Sequence, residues 1–299
     1  MRMPSISDKH LAYILIIPAV AFLVALTVFP FAFSVVVSFL NWNIGHPEYG
    51  IYLVGVKNYV DMLSDYRFLG GLIRSLFYTG TAVSAEYFLG LLFALLLSRE
   101  FRGRGIVRAL FLVPMVGTPI VYGLLWRMLY NPDFGLINYI LYSLGLLSSS
   151  QFYSGHADWL GNPTFALLSI IIVDIWQWTP FMFLILLAGI SSIPTEPLEA
   201  AKVDGASAWQ TFTHITLPAL MPATVVSLLI RTMDVFKDFD KIYIMTGGGP
   251  GVASETMNYY AYDVAFNYMN FGYAAAIAFT MSVCVLILSN VYLRFTRMG

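Results

Sequence analysis

One cysteine, Cys284, stands in 299 residues, so the chain carries no disulfide framework and no cysteine metal cluster. The four histidines, His10, His46, His156 and His214, fall in four different segments, which argues against a histidine metal site. Charge is scarce: 11% of residues are Asp, Glu, Lys or Arg, against roughly 25% in soluble domains. The net charge of −1 lacks the basic excess expected of a nucleic-acid binder. No Gly-Lys-Ser/Thr follows the run Gly247–Gly249, which closes an apolar stretch instead of opening a helix after a strand, so no nucleotide loop is encoded. Asp174 and Asp234 lie in different apolar runs, but His-Glu-x-x-His and Gly-x-Gly-Asp are both missing, which leaves an intramembrane protease unsupported. Internal repeats and low-complexity tracts are missing too.

What is present is apolar. Hydrophobic residues make up 59% of the chain, with a mean hydropathy of +0.74. An all-α, polytopic membrane protein follows, with six transmembrane helices near Leu11–Leu40, Leu72–Leu97, Ile106–Tyr130, Phe165–Ile190, Leu220–Met245 and Tyr273–Leu293. Each run can cross about 30 Å of hydrocarbon. The first, preceded by Arg2 and Lys9, is too long for a signal peptide and lacks a small-residue cleavage site, so it reads as an anchor. Residues 1–70 form an N-terminal helix with the first external loop. Residues 71–299 form a five-helix core with a loop at 191–218.

Lysine and arginine placement orients the chain. Arg2, Lys9, Arg99, Arg102, Arg104, Arg108, Lys202, Arg294 and Arg297 lie on one side, and only Lys57 and Arg67 on the other. Both termini and the 191–218 loop are therefore expected in the cytoplasm. The segments 41–71, 131–164 and 246–271 are expected outside. Their aromatics, among them Trp42, Tyr49, Tyr52, Tyr66, Tyr153, Trp159, Tyr259 and Tyr260, suit an interfacial belt or the docking of an external protein. Asn131-Pro132 and Asn162-Pro163 read as turns of one polar loop and not as the paired half-helix motifs of a solute channel.

The loop between spans four and five is unlike its surroundings. Thr195 is placed to cap a helix with Pro197 in its first turn, and Gly205 to end it in a left-handed turn. Ser207 is placed to cap a second helix that Pro218 stops. Two short helices joined at a glycine make a docking knob, or an ordinary loop. Glu199-Ala200-Ala201, Asp204-Gly205-Ala206, Ile215 and Leu217-Pro218 resemble the EAA loop of binding-protein-dependent ABC importer permeases. The resemblance extends to Val54–Tyr59 and to the run from Arg231 to Pro250, which look like the maltose-type and glycerol-phosphate-type sugar branch.

That resemblance implies a type I ABC importer transmembrane domain, a transport subunit and not an enzyme, with a coupling helix in the loop. It implies a second homologous permease, two ATPase subunits docked on the loop, an extracytoplasmic sugar-binding protein, and the inner membrane of a bacterium or archaeon. This chain would bind no cofactor or metal; ATP and Mg belong to the partner subunits. Glu199 would pair with a basic ATPase residue, and Leu198, Ala201 and Trp209 would fill the docking groove. The solute would be a di- or oligosaccharide or similar glycoside, with glycerol phosphate or a polyol as the alternative. A passive small-solute channel would leave the knob unexplained.

The fifth span carries the solute expectation. Ionisable groups at membrane depth are costly and face a cavity or one another. On one continuous helix Ser227, Arg231, Asp234, Asp238 and Lys241 share an arc of about 80°, with Arg231–Asp234 and Asp238–Lys241 as i,i+3 pairs. Such a stripe suits the wall of a solute route or a clamp between helices, with Lys237 and Asp240 pointing elsewhere. Trp126, Trp176, Trp178 and Phe236 are placed to offer sugar-stacking platforms, and Asp174 and Gln177 polar contacts.

Overall fold

The structure is a computed structural model that describes residues 8–148 and 158–297. Arg2, Tyr153 and His156 lie outside the described residues. The chain divides into two compact units, residues 1–65 with 261–280 and residues 66–260 with 281–299.

In the first unit, α1 (Asp8–Leu23) runs through a π-helical turn at Val24–Val28 into α2 (Phe29–Val37), and Tyr13–Val37 is one apolar stretch long enough to span. A short antiparallel pair follows, β1 (Leu40–Asn41) with β2 (Tyr52–Leu53), paired Leu40 to Leu53 and Asn41 to Tyr52. Next comes α3 (Lys57–Met62). Asn58 ties α3 to the strand: its Nδ2 donates to Ser38 O at 2.8 Å and Leu40 O at 3.1 Å. Asn43 bridges to Asn270, and Gly272 N donates to Trp42 O at 3.1 Å.

The second unit is built on α4 (Tyr66–Ser98) and α8 (Ala166–Ser191), which pack along each other. Their approach is close because Gly90 has no side chain; a Cβ there would lie 2.6 Å from Met182 Cβ. Tyr78, Ala82 and Val83 of α4 share a buried cluster with Ile170, Val173 and Met182 of α8. Between them in the chain come α5 (Arg104–Val116), α6 (Pro119–Leu129) and α7 (Leu136–Ser143). The third expected span is bent by 95° between α5 and α6, at Gly117-Thr118. Pro119, in the first turn of α6, favours an extended Thr118 at ψ 145°. Gln177 of α8 donates to the Gly117 carbonyl that the break frees, at 3.2 Å.

After α8 come α9 (Thr195–Val203) and α10 (Ala208–Thr211), then a π-helical turn at Phe212–Thr216 and α11 (Leu217–Ala219). The fifth span is α12 (Met221–Phe236), which meets the Ala208–Ala219 helix at a 62° bend. Pro218 is the next-to-last residue of that helix, just after its π-helical turn, and the bend follows at Leu220, so the second loop helix ends at its proline as expected.

The fifth span also departs from one continuous helix. It ends at Phe236 and resumes only as α13 (Asp240–Met245). Beyond it, Glu255 is buried against Arg67 of α4, with which it makes two contacts, and Arg74 Nε donates to Glu255 O at 2.6 Å. The helices α14 (Met257–Tyr262) and α15 (Phe271–Arg297) complete the chain. Among the described residues four helices are long and apolar enough to cross a membrane, or six if each bent pair counts as one span.

Candidate functional site

Five ionisable side chains and a tyrosine meet where α4, α8, α12 and α13 come together. Arg231 donates to Glu86 of α4 through two nitrogens, Nε to Oε2 at 2.7 Å and Nη2 to Oε1 at 2.8 Å. The same Nη2 donates to Asp174 Oδ2 of α8 at 3.0 Å. Lys241 Nζ lies 2.9 Å from both Asp174 Oδ1 and Asp238 Oδ2. Tyr78 Oη donates to Asp238 Oδ2 at 2.6 Å, and the Arg231 guanidinium sits 4.8 Å from the Trp178 ring centre. Glu86, Asp174, Arg231 and Lys241 are all nearly inaccessible.

Two sequence expectations change here. Arg231 does not pair with Asp234 but with Glu86 and Asp174, whereas the Asp238–Lys241 pair is present. Asp234 is exposed and has no ion-pair partner among the described residues. The reason is geometric: Arg231 is drawn across to the carboxylates of α4 and α8, which satisfy its planar fork. Glu86 was missed, although its position at depth in an apolar run was a signal.

Against this network lies a cavity of about 280 Å³, walled by the network's own Asp174, Arg231 and Lys241, by Pro119 and Trp178, and by residues of the fifth-span break. Asp234, Lys237, Asp238 and Asp240 line it. Lys237 and Asp240 were expected to point elsewhere. Because the helix breaks between them, a projection at 100° per residue fails past Phe236. The Asn258 side chain donates to Lys237 O, taking up a carbonyl that the break leaves free. The cavity thus combines charged, hydrogen-bonding groups with one indole ring.

The other candidates sit elsewhere. Ser227 is buried and its hydroxyl donates to Thr224 O on its own helix at 2.9 Å. Trp126 and Trp176 pack on each other with ring centres 5.4 Å apart, and Trp176 also packs on Tyr122. Gln177 is buried at the Gly117 break. Phe236 is buried in the core. None of these five lines the cavity.

In the 191–218 loop, Gly205 has φ +74°. Ala206 N donates to Ala201 O at 2.9 Å and Gly205 N to Lys202 O at 3.2 Å, the paired bonds of a Schellman end. Ser207 and Gln210 make a capping box at the start of α10. Thr195 makes no cap; it is the first residue inside α9, after Pro194. Glu199, Ala200, Asp204 and Trp209 are exposed, Leu198 and Ala206 are partly buried, and Ala201 is buried at 8% exposure. Ala201 therefore offers little surface to a docking groove. Val203, an apolar residue outside the motif positions, is 87% exposed and Trp209 71%.

Known proteins resemble this chain in sequence and in fold. The family described as binding-protein-dependent transport system inner membrane component matches residues 86–297. The chain belongs to that family. It is accordingly a multi-pass inner-membrane transport subunit and not an enzyme. A probable ABC transporter permease of Sinorhizobium fredii is 40% identical over 91% of this chain and 85% of its own length. The trehalose/maltose transport system permease protein MalF of Thermococcus litoralis is 37% identical over 97% of this chain and 95% of its own. The fold is that of a chain in the crystal structure of a bacterial alginate ABC transporter bound to a periplasmic protein, with TM-score 0.80 and 21% identity over 96% of this chain and 94% of that one.

Proposed function

We propose that this chain is a permease subunit of an ATP-driven importer for a di- or oligosaccharide or similar glycoside, and that solute passes the cavity at the fifth-span break. The observation that carries the solute route is that cavity: Asp234, Lys237 and Asp240 line it beside the Trp178 ring, while the clustered charges on its wall are paired with one another. Carboxylates and ammonium groups exchange hydrogen bonds with sugar hydroxyls, and an indole face suits a sugar ring. Membership in the permease family and the trehalose/maltose relative support the sugar class. The cluster of Glu86, Arg231, Asp174, Lys241 and Asp238 acts as a clamp that holds four helices around the cavity. The stripe thus divides its labour, with Asp234 on the route and Arg231 in the clamp.

Energy enters through the 191–218 loop. ATP and Mg are held by two separate ATPase subunits, whose closure moves the docked loop and switches the route between outward and inward access. Glu199, Val203 and Trp209 are the exposed contacts, and the Gly205 turn fixes the angle between α9 and α10. A second permease of similar fold completes the pathway, and an extracytoplasmic binding protein delivers the sugar. Both termini face the cytoplasm. The test is uptake of labelled trehalose and maltose by vesicles holding the whole assembly. ATP-dependent accumulation of either supports the reading. Accumulation of neither, with glycerol 3-phosphate taken up instead, overturns it.

A further inference from the structure

The stretch Val54–Tyr59 has no part in the route or the clamp, yet it borders a second cavity of about 320 Å³ within the first unit. We infer that this cavity is an outer sugar-holding site, built from β1, β2, α3 and the start of α15. The inference rests on the sugar-import reading for the class of its ligand.

The groups on its wall come from three distant stretches of sequence, around residues 41, 52–65 and 270–273. Several are fixed in place. Tyr273 Oη donates to Asp65 Oδ2 at 2.7 Å, Asn58 Nδ2 is held by Ser38 O and Leu40 O, and Asn270 Oδ1 accepts from Tyr273 N at 3.2 Å. Those bonds leave the Asn58 carbonyl oxygen and the Asn270 amide hydrogens uncommitted. Lys57 and Asp61 stand one turn apart on α3, both exposed, with no ion-pair partner among the described residues. The wall therefore presents both donors and acceptors, some of them held in place by their own bonds. The exposed ring of Tyr52 supplies a flat apolar face.

That mixture selects among ligands. One ammonium beside two carboxylates disfavours an anion such as glycerol phosphate. Two carboxylates are too few to cage a hard cation, which takes six to eight oxygens, and no metal-holding group of acidic, His or Cys side chains is found among the described residues. A neutral polyhydroxylated ring can use every group, because each hydroxyl both donates and accepts and a ring face can lie on Tyr52. The volume lies at the lower end of ligand pockets, roughly 300–1,000 Å³, and suits one or two sugar rings.

The experiment uses the assembled transporter in lipid nanodiscs with Cys284→Ala and a reporter cysteine, Val54→Cys, on the cavity wall. Its maleimide labelling rate is measured with trehalose, maltose or glycerol 3-phosphate. At twice the Kd a bound sugar slows labelling about threefold, because the free fraction is 1/(1 + [L]/Kd). Protection by a disaccharide is expected to persist in Asp234→Asn, to vanish in Lys57→Ala and Asp61→Ala, and to be missing with glycerol 3-phosphate. Labelling unaffected by any of the three solutes overturns the outer site, whatever uptake shows. Protection that survives Lys57→Ala and Asp61→Ala, or that disappears with Asp234→Asn, also overturns it. Uptake of trehalose and maltose, read in vesicles of the same assembly, judges the import reading separately.

Discussion

Arg231 is the residue on which the second unit's buried polar order turns. Two bonds to Glu86 and one to Asp174 satisfy a guanidinium that water does not reach. Removing one partner of such a pair strands the other charge, at a cost of about 3–5 kcal/mol. Glu86→Ala or Arg231→Met is therefore expected to cut the yield of assembled complex sharply, read by size-exclusion chromatography. Glu86→Leu with Arg231→Met should recover assembly better than either single change; equal loss in all three would contradict the clamp. Asp234 belongs to the other class. Exposed and without an ion-pair partner among the described residues, it should tolerate Asp234→Asn with normal assembly. Charge at depth was legible in the run from Arg231 to Lys241, and so was the Asp238–Lys241 pair, but the partners of Arg231 were not. The i,i+3 rule names neighbours on one helix, and the stronger partners came from α4 and α8.

At the scale of elements, turn chemistry was the most legible part. Gly205 adopts the left-handed conformation its place after Val203-Asp204 demands, and Ser207 caps with Gln210. A β-branched side chain at φ +74° is strained by about 1–2 kcal/mol. Gly205→Val is expected to leave membrane insertion intact while reducing ATPase co-purification and ATP-driven uptake; wild-type retention with normal uptake would show that the turn does not couple. Ser207→Ala, losing one cap bond, should cost about 1 kcal/mol and act more weakly. Helix breaks were the least legible part. The bend at Gly117-Thr118 has a glycine and a Pro119 to announce it. The break at Lys237–Phe239 has neither, and depends on Asn258 and on the reach of Lys241 to Asp174, contacts distant in sequence. Apolar runs thus located the spans but not the points where they bend or break.

For the whole molecule, the charge asymmetry of the loops predicts the sidedness. With Cys284→Ala as background, Ser207→Cys and Arg102→Cys should resist an impermeant maleimide added to intact cells, and Leu63→Cys, 73% exposed, should react. Reaction at position 207 would invert the orientation. The central claim is that sugar passes the cavity at the fifth-span break, and the most direct measurement of it is ATP-driven uptake of labelled trehalose and maltose by the reconstituted Asp234→Asn complex. An amide keeps the shape of the carboxylate and removes its charge. The account predicts an intact complex whose KM for uptake, or preference between the two sugars, shifts by about tenfold, the worth of one charge-assisted hydrogen bond. An intact Asp234→Asn complex with wild-type KM, rate and preference would contradict it.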